Sequence, residues 1–302
     1  MEKSENPRLS IIIASEDTSR IEDCLNALRG QVRSGEIETI VVVCSADGTT
    51  RLIKTKFPDV KFISFSSRKS LPLLLGAGIE QSTGDIVAIT DATCVVDGNW
   101  ISEILKAHKT AHPVIGGGVE MAIRKGMINW AAYFCEYGQF MHPMEEGVVN
   151  ELPGNNMSFK RWVLKRGQEF VQNGFWKTYW CRKLQEEGIQ LISKPSIVVH
   201  YKKSFCLGSF LIRRFLHGRC FAGMRIAKVS IFKRMYYIAG SPLLVFLFLA
   251  RTIKAIIPKK RYRKEFILSF PVSFMAIVIW SVGEFYGYLT GPGSSCNKIY
   301  IH

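Results

Sequence analysis

The sequence lacks the cysteine spacing that marks zinc sites and disulfide-rich secreted domains. It has eight cysteines, and no two of them form a C-x-x-C pair. Because that spacing is typical of zinc sites and redox motifs, neither is predicted. We expect buried free thiols in a reducing compartment instead. The cysteines stand at positions 24, 44, 94, 135, 181, 206, 220 and 296.

An apolar segment is also missing from the N-terminus, where the first ten residues are MEKSENPRLS. A secretory signal peptide needs an apolar stretch of roughly 7–15 residues, so none is predicted and the N-terminal domain is expected in the cytoplasm. Zinc-finger spacings and the aromatic and basic signatures of RNA-binding modules are absent as well. No nucleic acid is therefore expected as a partner.

Acidic residues are scarce relative to basic ones. The chain of 302 residues carries 40 Lys and Arg against 25 Asp and Glu, which gives a formal net charge of +15. The basic residues are concentrated in 202–264, beside the longest apolar runs. Positive charge next to apolar sequence favours binding to anionic membrane lipids.

The C-terminal third has two apolar runs flanked by basic residues. Residues 206–234 mix arginine and lysine with apolar residues, a composition typical of a helix in the membrane interface. The uncharged run 235–250 has only 16 residues, while a spanning helix needs about 20, so we expect it to enter and return or to lie at the cytoplasmic interface. Residues 266–289 are the better candidate for a true span or a deep hairpin. The basic segment 251–264 is expected on the cytoplasmic side.

Short apolar strands alternate with helices in the first hundred residues. The predicted strands are residues 9–14, 39–43, 60–65 and 85–90. This alternation predicts an α/β fold, with a mostly parallel sheet flanked by helices. Residues 113–200 are less regular, but a helix is predicted at 176–187 and a strand at 197–199. Such sheets bind ligands at the carboxyl ends of their strands. The predicted site therefore lies in the loops at 14–18, 44–49 and 91–99.

Several motifs, taken in order along the chain, carry a resemblance to a known family. They are SIIIASEDTSRIEDCLNALRGQ at 10–31, GDIVAITDATCVVDGNWI at 84–101, LPGNNMSFKR at 152–161, VVH at 198–200 and GEFYGYLTGPG at 283–293. In this order they resemble the membrane-anchored bacterial type of family-two glycosyltransferase. The resemblance implies a GT-A fold, inverting transfer of a hexosyl group from a nucleotide-diphosphate sugar, and Mg²⁺ or Mn²⁺ as cofactor. The implied acceptor is a lipid-linked molecule or a polysaccharide at the cytoplasmic face of the membrane.

The resemblance also implies which residues form the site. A diphosphate leaves more readily when its charge is neutralised, and a divalent cation held by carboxylates does this. Asp91, the first aspartate of the family's Asp-x-Asp motif, is expected to bind that cation, with His200 completing its ligands. The residues expected to bind the nucleotide sugar are Ala14, Ser15, Glu16, Asp47, Asp91, Thr93, Asn155 and Asn156.

The sequence departs from the family pattern at three positions. Thr93 replaces the second aspartate of the motif, and Val43 stands near the place of the aspartate that contacts the base. Trp176-Lys177 occupies the place of the acidic pair that supplies the general base, and a lysine is a poor base unless burial lowers its pKa. Glu136 and Glu151 are the nearest substitutes by position. The candidate catalytic residues are Asp91, Glu136, Glu151 and Lys177.

Three functions are compatible with the residues. The first is an active glycosyltransferase, and the second is a catalytically degenerate relative that serves as a binding or assembly partner in the membrane. The third, a basic membrane-surface protein without sugar chemistry, leaves the ordered motifs unexplained. The expected organisation is a polar tail at 1–8, a glycosyltransferase domain at 9–205, a basic interfacial segment at 206–234, a membrane-associated region at 235–291 and a tail at 292–302.

Overall fold

The computed structural model describes residues 7–15, 20–32, 35–44, 48–227 and 229–299. The chain divides into two compact units. Unit 1 comprises Met1–Ala122 and His142–Lys202, and unit 2 comprises Ile123–Met141 and Lys203–His302. Residues 123–141 were predicted to lie in the domain at 9–205, whereas the structure groups them with the C-terminal helices.

The described part of unit 1 contains a nine-stranded sheet. Its strands are β1 (Leu9–Ser15), β2 (Ile37–Val43), β3 (Lys61–Ser64), β4 (Ile86–Asp91), β5 (Cys94–Val96), β6 (Val114–Met121), β7 (Gly147–Val149), β8 (Met157–Lys160) and β9 (Leu191–Tyr201). Their order is β3-β2-β1-β4-β8-β6-β9-β5, and β7 pairs with β9. The predicted α/β class is confirmed. The sheet is mostly parallel, as predicted, with three strands in the opposite direction: β8 runs antiparallel to both β4 and β6, and β5 and β7 run antiparallel to β9.

Helices pack on this sheet because its strands are apolar on both faces. The helices of unit 1 are α1 (Ile21–Arg29), α2 (Gly48–Lys56), α3 (Leu71–Gln81), α4 (Trp100–Ala107), α6 (Arg161–Arg166), α7 (Gln168–Gln172) and α8 (Lys177–Glu186). All seven residues of β1 are buried, and so are the last five of β2. Strands that are buried on both faces form near-continuous apolar runs, which is why the sequence predicts them well.

Three consecutive glycines lie inside β6, where neighbouring chain segments approach closely. A Cβ atom at Gly117 would lie 1.8 Å from the carbonyl oxygen of Ile197, and one at Gly118 would lie 2.3 Å from the ring of His142. Both distances are far below van der Waals contact, so a larger residue would push these segments apart. Glycine is therefore required by packing within a strand.

The regular elements in the described part of unit 2 are all helices. Its helices are α5 (Met127–Tyr137), α9 (Leu207–Ile226), α10 (Ile231–Gly240), α11 (Leu244–Ile256), α12 (Arg263–Thr290) and α13 (Ser295–Lys298). Helices α9 and α12 are in close backbone contact. A Cβ atom at Gly218 would lie 2.3 Å from Trp280 O, and one at Gly283 would lie 2.3 Å from Phe215 O. Small residues at this crossing let the two backbones approach each other.

Two segments of unit 2 are long and apolar enough to cross a membrane, namely Ile231–Lys259 and Arg263–Thr290. The first is not one regular helix. It contains the 3₁₀ turn Ser241–Leu243 between α10 and α11, with Pro242 in its first turn. Proline removes a backbone donor and interrupts a regular helix at this point.

A disulfide joins Cys220 and Cys296 within unit 2. The expectation of eight free thiols is therefore wrong for these two residues, which lie 76 positions apart in the sequence. Short-range spacing cannot reveal a pair that meets only when α9 and the C-terminal segment fold together. Among the free cysteines, Cys24, Cys94 and Cys181 are buried and Cys206 is exposed.

Candidate active site

The carboxyl ends of β1 and β4 bring two predicted donor-binding positions together. Ala14 pairs in register with Asp91, the last residue of β4. Ala14 and Ser15 are buried, while Asp91 is half-buried. This is the edge at which α/β sheets bind their ligands. Glu16 and Asp47, two further residues predicted for donor binding, lie outside the described residues.

Asp91 is oriented by the residue that replaces the second aspartate of the motif. Its Oδ1 accepts a hydrogen bond from Thr93 N at 2.7 Å and a second one from Thr93 Oγ1. Among the described residues, none donates a hydrogen bond to Asp91 Oδ2. Thr93 therefore holds the carboxylate in position and leaves one of its oxygens for a ligand.

Two buried thiols lie within the electrostatic field of Asp91. Burial raises the pKa of Cys24, and the negative charge of Asp91 raises it further. Burial and then Asp91 raise the pKa of Cys94 in the same way. Both thiols therefore stay protonated and uncharged at neutral pH. An environment of low polarity strengthens the attraction between Asp91 and a cation.

His200 lies on β9 opposite Val95 of β5. Its Nε2 is 3.5 Å from Asp97 Oδ1, and the two side chains are 39% and 49% exposed. The nearest charged partner that the structure gives to His200 is thus Asp97. Asp97 lies in the predicted loop at 91–99, but no role was predicted for it.

The metal-binding capacity of these residues is limited. In the part of the chain that the structure describes, no three His, Cys, Asp or Glu side chains form a group that could hold a metal ion. Mg²⁺ is commonly bound by one or two carboxylates together with phosphate oxygens of the substrate. Asp91 therefore fits a metal ion that binds together with a nucleotide diphosphate. It does not fit an ion held by protein ligands alone.

The two asparagines of the LPGNN motif have different environments. Asn156 is fully buried, its Oδ1 accepts from Trp100 Nε1 at 2.9 Å, and its Nδ2 donates to the carbonyl oxygens of Gly118 and Ile197 at 2.8 and 2.9 Å. These bonds make Asn156 a brace between strands. Asn155 donates from Nδ2 to Cys94 Sγ at 3.1 Å, while its buried Oδ1 has no partner among the described residues. Of the two, Asn155 is the one with an unused acceptor.

Gln31, which ends the first motif, supports the loop that follows Asp91. Its Nε2 donates to the carbonyl oxygen of Asp97 at 2.9 Å, and its Oε1 accepts from the backbone N–H of Ile101 at 3.1 Å. Trp100, the first residue of α4, adds the bond to Asn156. Both residues belong to the sequence motifs, but no function was predicted for either. The structure shows that they position the backbone around residues 97–101.

Lys177 and Glu151, two candidate catalytic residues, form an ion pair. Lys177 Nζ lies 2.9 Å from Glu151 Oε1 and donates to the carbonyl oxygen of Leu152 at 2.8 Å. The two side chains are 19% and 31% exposed. Lys177 is therefore engaged by a carboxylate and by a backbone carbonyl oxygen at the same time.

Glu136, the remaining candidate base, belongs to unit 2. Its Oε2 lies 3.8 Å from Arg213 Nη2, and both side chains are at least nine-tenths buried. Glu136 therefore neutralises a buried arginine among helices. Position in the sequence did not reveal this, because Arg213 is 77 residues further along the chain.

The fold is that of a GT-A glycosyltransferase. The structure is similar to the mannosyltransferase PcManGT from Pyrobaculum calidifontis, solved in complex with GDP-Man and Mn²⁺, with a TM-score of 0.58 and 16% sequence identity over 94% of this chain and 89% of that chain. It is also similar to S. aureus TarS 1–349 in complex with UDP-GlcNAc, with a TM-score of 0.53 and 12% identity over 92% and 90% of the two chains. At these identities the likeness establishes the fold.

The family follows from the sequence. Residues 10–166, just over half of the chain, match the family model for glycosyl transferase family 2. The chain belongs to this family and is a glycosyltransferase. A curated relative, glycosyltransferase AglE of Haloferax volcanii, is 28% identical over 127 residues, which cover 40% of this chain and 42% of that protein. The match thus spans less than half the length of that relative.

Proposed function

We propose that the chain transfers a hexosyl group, with inversion, from a nucleotide-diphosphate sugar to a lipid-linked or polysaccharide acceptor at the cytoplasmic face of a membrane. The observation that carries the proposal is the position of Asp91 at the end of β4, with Oδ1 fixed by Thr93 and Oδ2 without a donor among the described residues. The ligands named for the similar structures, GDP-Man and UDP-GlcNAc, support a nucleotide sugar as donor.

The donor would bind at the carboxyl ends of β1 and β4. Asp91 Oδ2 would hold Mg²⁺ or Mn²⁺ with the diphosphate, and the metal supplies positive charge to the leaving group. The buried amide oxygen of Asn155 would accept a hydrogen bond from a sugar hydroxyl. We assign His200 and Asp97 to the border of this site, where their exposure leaves them accessible to substrate.

Glu151 is the residue we assign as general base. It directly precedes the motif whose Asn155 contacts Cys94, so it belongs to a segment that lies beside the end of β4. The ion pair with Lys177 restrains its carboxylate, and a carboxylate held in place can accept the proton of an acceptor hydroxyl. In this family an acidic residue at the start of the helix supplies the general base. Here Glu151 would supply it, and Lys177 would orient it.

Unit 2 supports the membrane part of the proposal. Its helices expose large apolar side chains, among them Phe232 (82% exposed), Phe246 (69%) and Ile267 (68%). Contact with lipid would bury this surface. The break at Ser241–Leu243 supports the hypothesis that residues 235–250 do not cross the bilayer as one helix. Each Lys or Arg of 251–264 would add about 1 kcal/mol of attraction to anionic headgroups.

A catalytically inactive relative is the second candidate function. Two observations favour it. Lys177 stands at the position of the family's general base and pairs with Glu151, and Thr93 replaces the second aspartate of the motif, which leaves Asp91 as the carboxylate that the motif retains. Such a protein would bind a nucleotide sugar without transferring it. The same assay separates the two functions.

The test is a panel of nucleotide sugars incubated with the purified full chain in membrane vesicles, with Mg²⁺, Mn²⁺ or EDTA. We expect metal-dependent transfer or slow hydrolysis of at least one donor. Metal-dependent binding without any turnover would establish the inactive relative. No binding of any nucleotide sugar would contradict both functions.

A labelling experiment tests the membrane placement. Lys264 is exposed at the start of α12, and Lys264→Cys can be introduced into a Cys206→Ser background, which removes an exposed free thiol. A membrane-impermeant thiol reagent should label this cysteine only after the cells are opened, as it should label Lys109→Cys in unit 1. Ready labelling of Lys264→Cys in intact cells would contradict the cytoplasmic placement.

A further inference from the structure

The carboxyl end of β4 has one carboxylate where the family motif has two. Thr93 bonds only to Oδ1 of Asp91, so Oδ2 has no hydrogen-bond donor among the described residues. In the same part of the chain, Asp91 takes part in no ion pair. Carboxylate, carbonyl and phosphate oxygens are the usual ligands of Mg²⁺ and Mn²⁺. A second oxygen from the protein would therefore offset the loss of the second aspartate.

Asn155 has an oxygen of this kind. Its side chain is buried, with 4% of the residue exposed. Its Oδ1 has no hydrogen-bond partner among the described residues. A buried polar atom without a partner is unfavourable, so such an atom in a folded protein indicates that a water molecule, an ion or a ligand binds there.

The neighbouring Asn156 does not share this property. Its Oδ1 accepts from Trp100 Nε1, and its Nδ2 donates to the carbonyl oxygens of Gly118 and Ile197. The two asparagines have the same side chain at consecutive positions, but the structure uses one of them entirely for bonds between strands. Only Asn155 of this pair keeps an amide oxygen for a ligand.

Asn155 lies at the same end of the sheet as Asp91. Strands β4 and β8 are antiparallel, and their pairing ends at Ile89 and Met157. Asp91 follows Ile89 by two residues, and Asn155 precedes Met157 by two. The side chain of Cys94 connects them, because Asn155 Nδ2 donates to Cys94 Sγ at 3.1 Å and Cys94 lies within the electrostatic field of Asp91.

The bond to Cys94 determines which atom of the Asn155 amide is available. An amide has two donor hydrogens on Nδ2 and two lone pairs on Oδ1. Because Nδ2 is the atom that bonds to the sulfur, the oxygen is the atom without a partner. A cation needs an oxygen ligand, and this arrangement provides one.

We propose that Asn155 Oδ1 and Asp91 Oδ2 together bind the divalent cation, and that Asn155 thereby compensates for the aspartate that Thr93 replaces. The inference rests on the proposed function, whose metal site it completes. The nucleotide diphosphate supplies further oxygens. Since an amide oxygen has two lone pairs, the same atom can also accept a hydrogen bond from a sugar hydroxyl.

The test measures binding of UDP and GDP to the purified full chain by calorimetry, with and without Mn²⁺. These nucleotides carry no sugar, so a hydrogen bond from a sugar hydroxyl does not contribute. Asn155→Ala should reduce the gain in affinity that Mn²⁺ produces by about 10- to 100-fold, the range that loss of one supporting contact costs at a metal site. The affinity without metal should not change. Asn155→Asp places a carboxylate at the same position and should retain the gain.

Asn173→Ala is the matched control. Asn173 also donates one hydrogen bond from Nδ2, to Glu169 O at 2.9 Å, but it is exposed. This variant should bind UDP and GDP as the wild type does, with and without Mn²⁺.

A gain from Mn²⁺ in Asn155→Ala equal to that of the wild type would overturn the inference. A loss confined to UDP-GlcNAc or GDP-Man would also overturn it, because Asn155 would then contact the sugar alone. Thermal melting checks that each variant folds. If Asn155→Ala does not fold, absence of the gain in folded Asn155→Asp would overturn the inference instead.

Sugar transfer is measured in parallel. A wild type that binds UDP or GDP more tightly with Mn²⁺ but transfers no sugar would contradict the proposed function. Loss of the gain in Asn155→Ala would still support the metal site in that case. Transfer by the wild type together with an unchanged gain in Asn155→Ala would be a failure of this inference alone.

Discussion

Buried polar groups have opposite environments in the region around Asp91 and at the buried arginines of α9, Arg213 and Arg214. In unit 1, Asn156 forms three hydrogen bonds to Trp100, Gly118 and Ile197. In unit 2, Arg214 is buried with an Nε that has no acceptor among the described residues. A satisfied polar network fixes backbone geometry, whereas a buried charge with few partners costs stability.

Unit 2 also shows that its helices can neutralise a buried charge. Glu284 of α12 is 1% exposed, and its carboxylate accepts from Trp280 Nε1 at 2.7 Å, Tyr288 OH at 2.6 Å and Arg225 Nη1 at 3.2 Å. The contrast with Arg214 on the neighbouring helix therefore does not reflect a general lack of polar partners in unit 2.

The largest expected effect is that of Glu151→Gln, which removes the proposed base and keeps the size of the side chain. We expect kcat to fall by about 10²–10⁴-fold, the usual contribution of general-base catalysis. Nucleotide-sugar affinity should not change, because the donor site at Asp91 is intact. Steady-state transfer assays and calorimetry measure the two quantities.

Glu146→Gln is the matched control for this prediction. Glu146 also pairs with a lysine, Lys194, but its side chain is 63% exposed and it carries no assigned role. This variant should transfer sugar at the wild-type rate. If Glu151→Gln does so as well, the base lies elsewhere.

Acid should destabilise unit 1 through its buried residue His108. This prediction tests how strongly a buried polar group of unit 1 contributes to stability. Burial, aided by Lys160, lowers the pKa of His108 from 6.5 to about 4. Between these values the unfolded chain binds a proton that the folded chain does not, so stability is lost as pH falls from 6.5 towards 4. The full effect is about 3 kcal/mol.

Melting curves at pH 7.5 and pH 4.5 measure this effect. His108→Gln does not titrate and should lose less stability over this range than the wild type, while the half-buried His112→Gln should behave as the wild type does. An equal loss in His108→Gln and the wild type would exclude His108 as the source.

Close packing of α9 on α12 is tested by Gly283→Ala. The added Cβ would meet Phe215 O at 2.3 Å, so the helices must separate, and overpacking of this kind costs about 1–3 kcal/mol. Gly240→Ala is the control, since nothing lies within 4 Å of a Cβ there. A melting temperature of Gly283→Ala at or above that of Gly240→Ala would show that the helices do not pack in this way.

The smallest effect concerns the ion pair that holds the proposed base. Lys177→Gln removes the bonds to Glu151 and Leu152 O and should lower the free energy of unfolding by about 1 kcal/mol. It should also lower kcat modestly, because Glu151 is no longer restrained. Lys177→Arg should restore kcat, and a rate in Lys177→Gln equal to the wild type would separate Lys177 from catalysis.

The buried strands were predictable from sequence because apolar β-branched residues mark them directly. Strand β1 was expected at 9–14 and is Leu9–Ser15, and helix α8 was expected at 176–187 and is Lys177–Glu186. Strand β6 was not predicted. Its three glycines have low strand propensity, and the reason for them is close contact with residues distant in sequence.

The position of Asp91 at a strand end was predicted from the motif, but the partners of the site residues were not. Periodicity does not show that Lys177 meets Glu151, or that Asn156 is consumed by bonds to Gly118 and Ile197. Such contacts depend on strand register and on segments far apart in the chain. The predicted roles of Asp91, Glu151 and Asn155 stay predictions until variants are assayed.

The most direct test of the central claim is calorimetry of nucleotide diphosphate binding to wild type and Asp91→Ala, with and without Mn²⁺. The account predicts that Mn²⁺ strengthens binding of UDP or GDP to the wild type, and that this enhancement disappears in Asp91→Ala while the melting temperature is unchanged. Binding that is equally strengthened by Mn²⁺ in both proteins would contradict the assignment of Asp91 as the metal and diphosphate ligand.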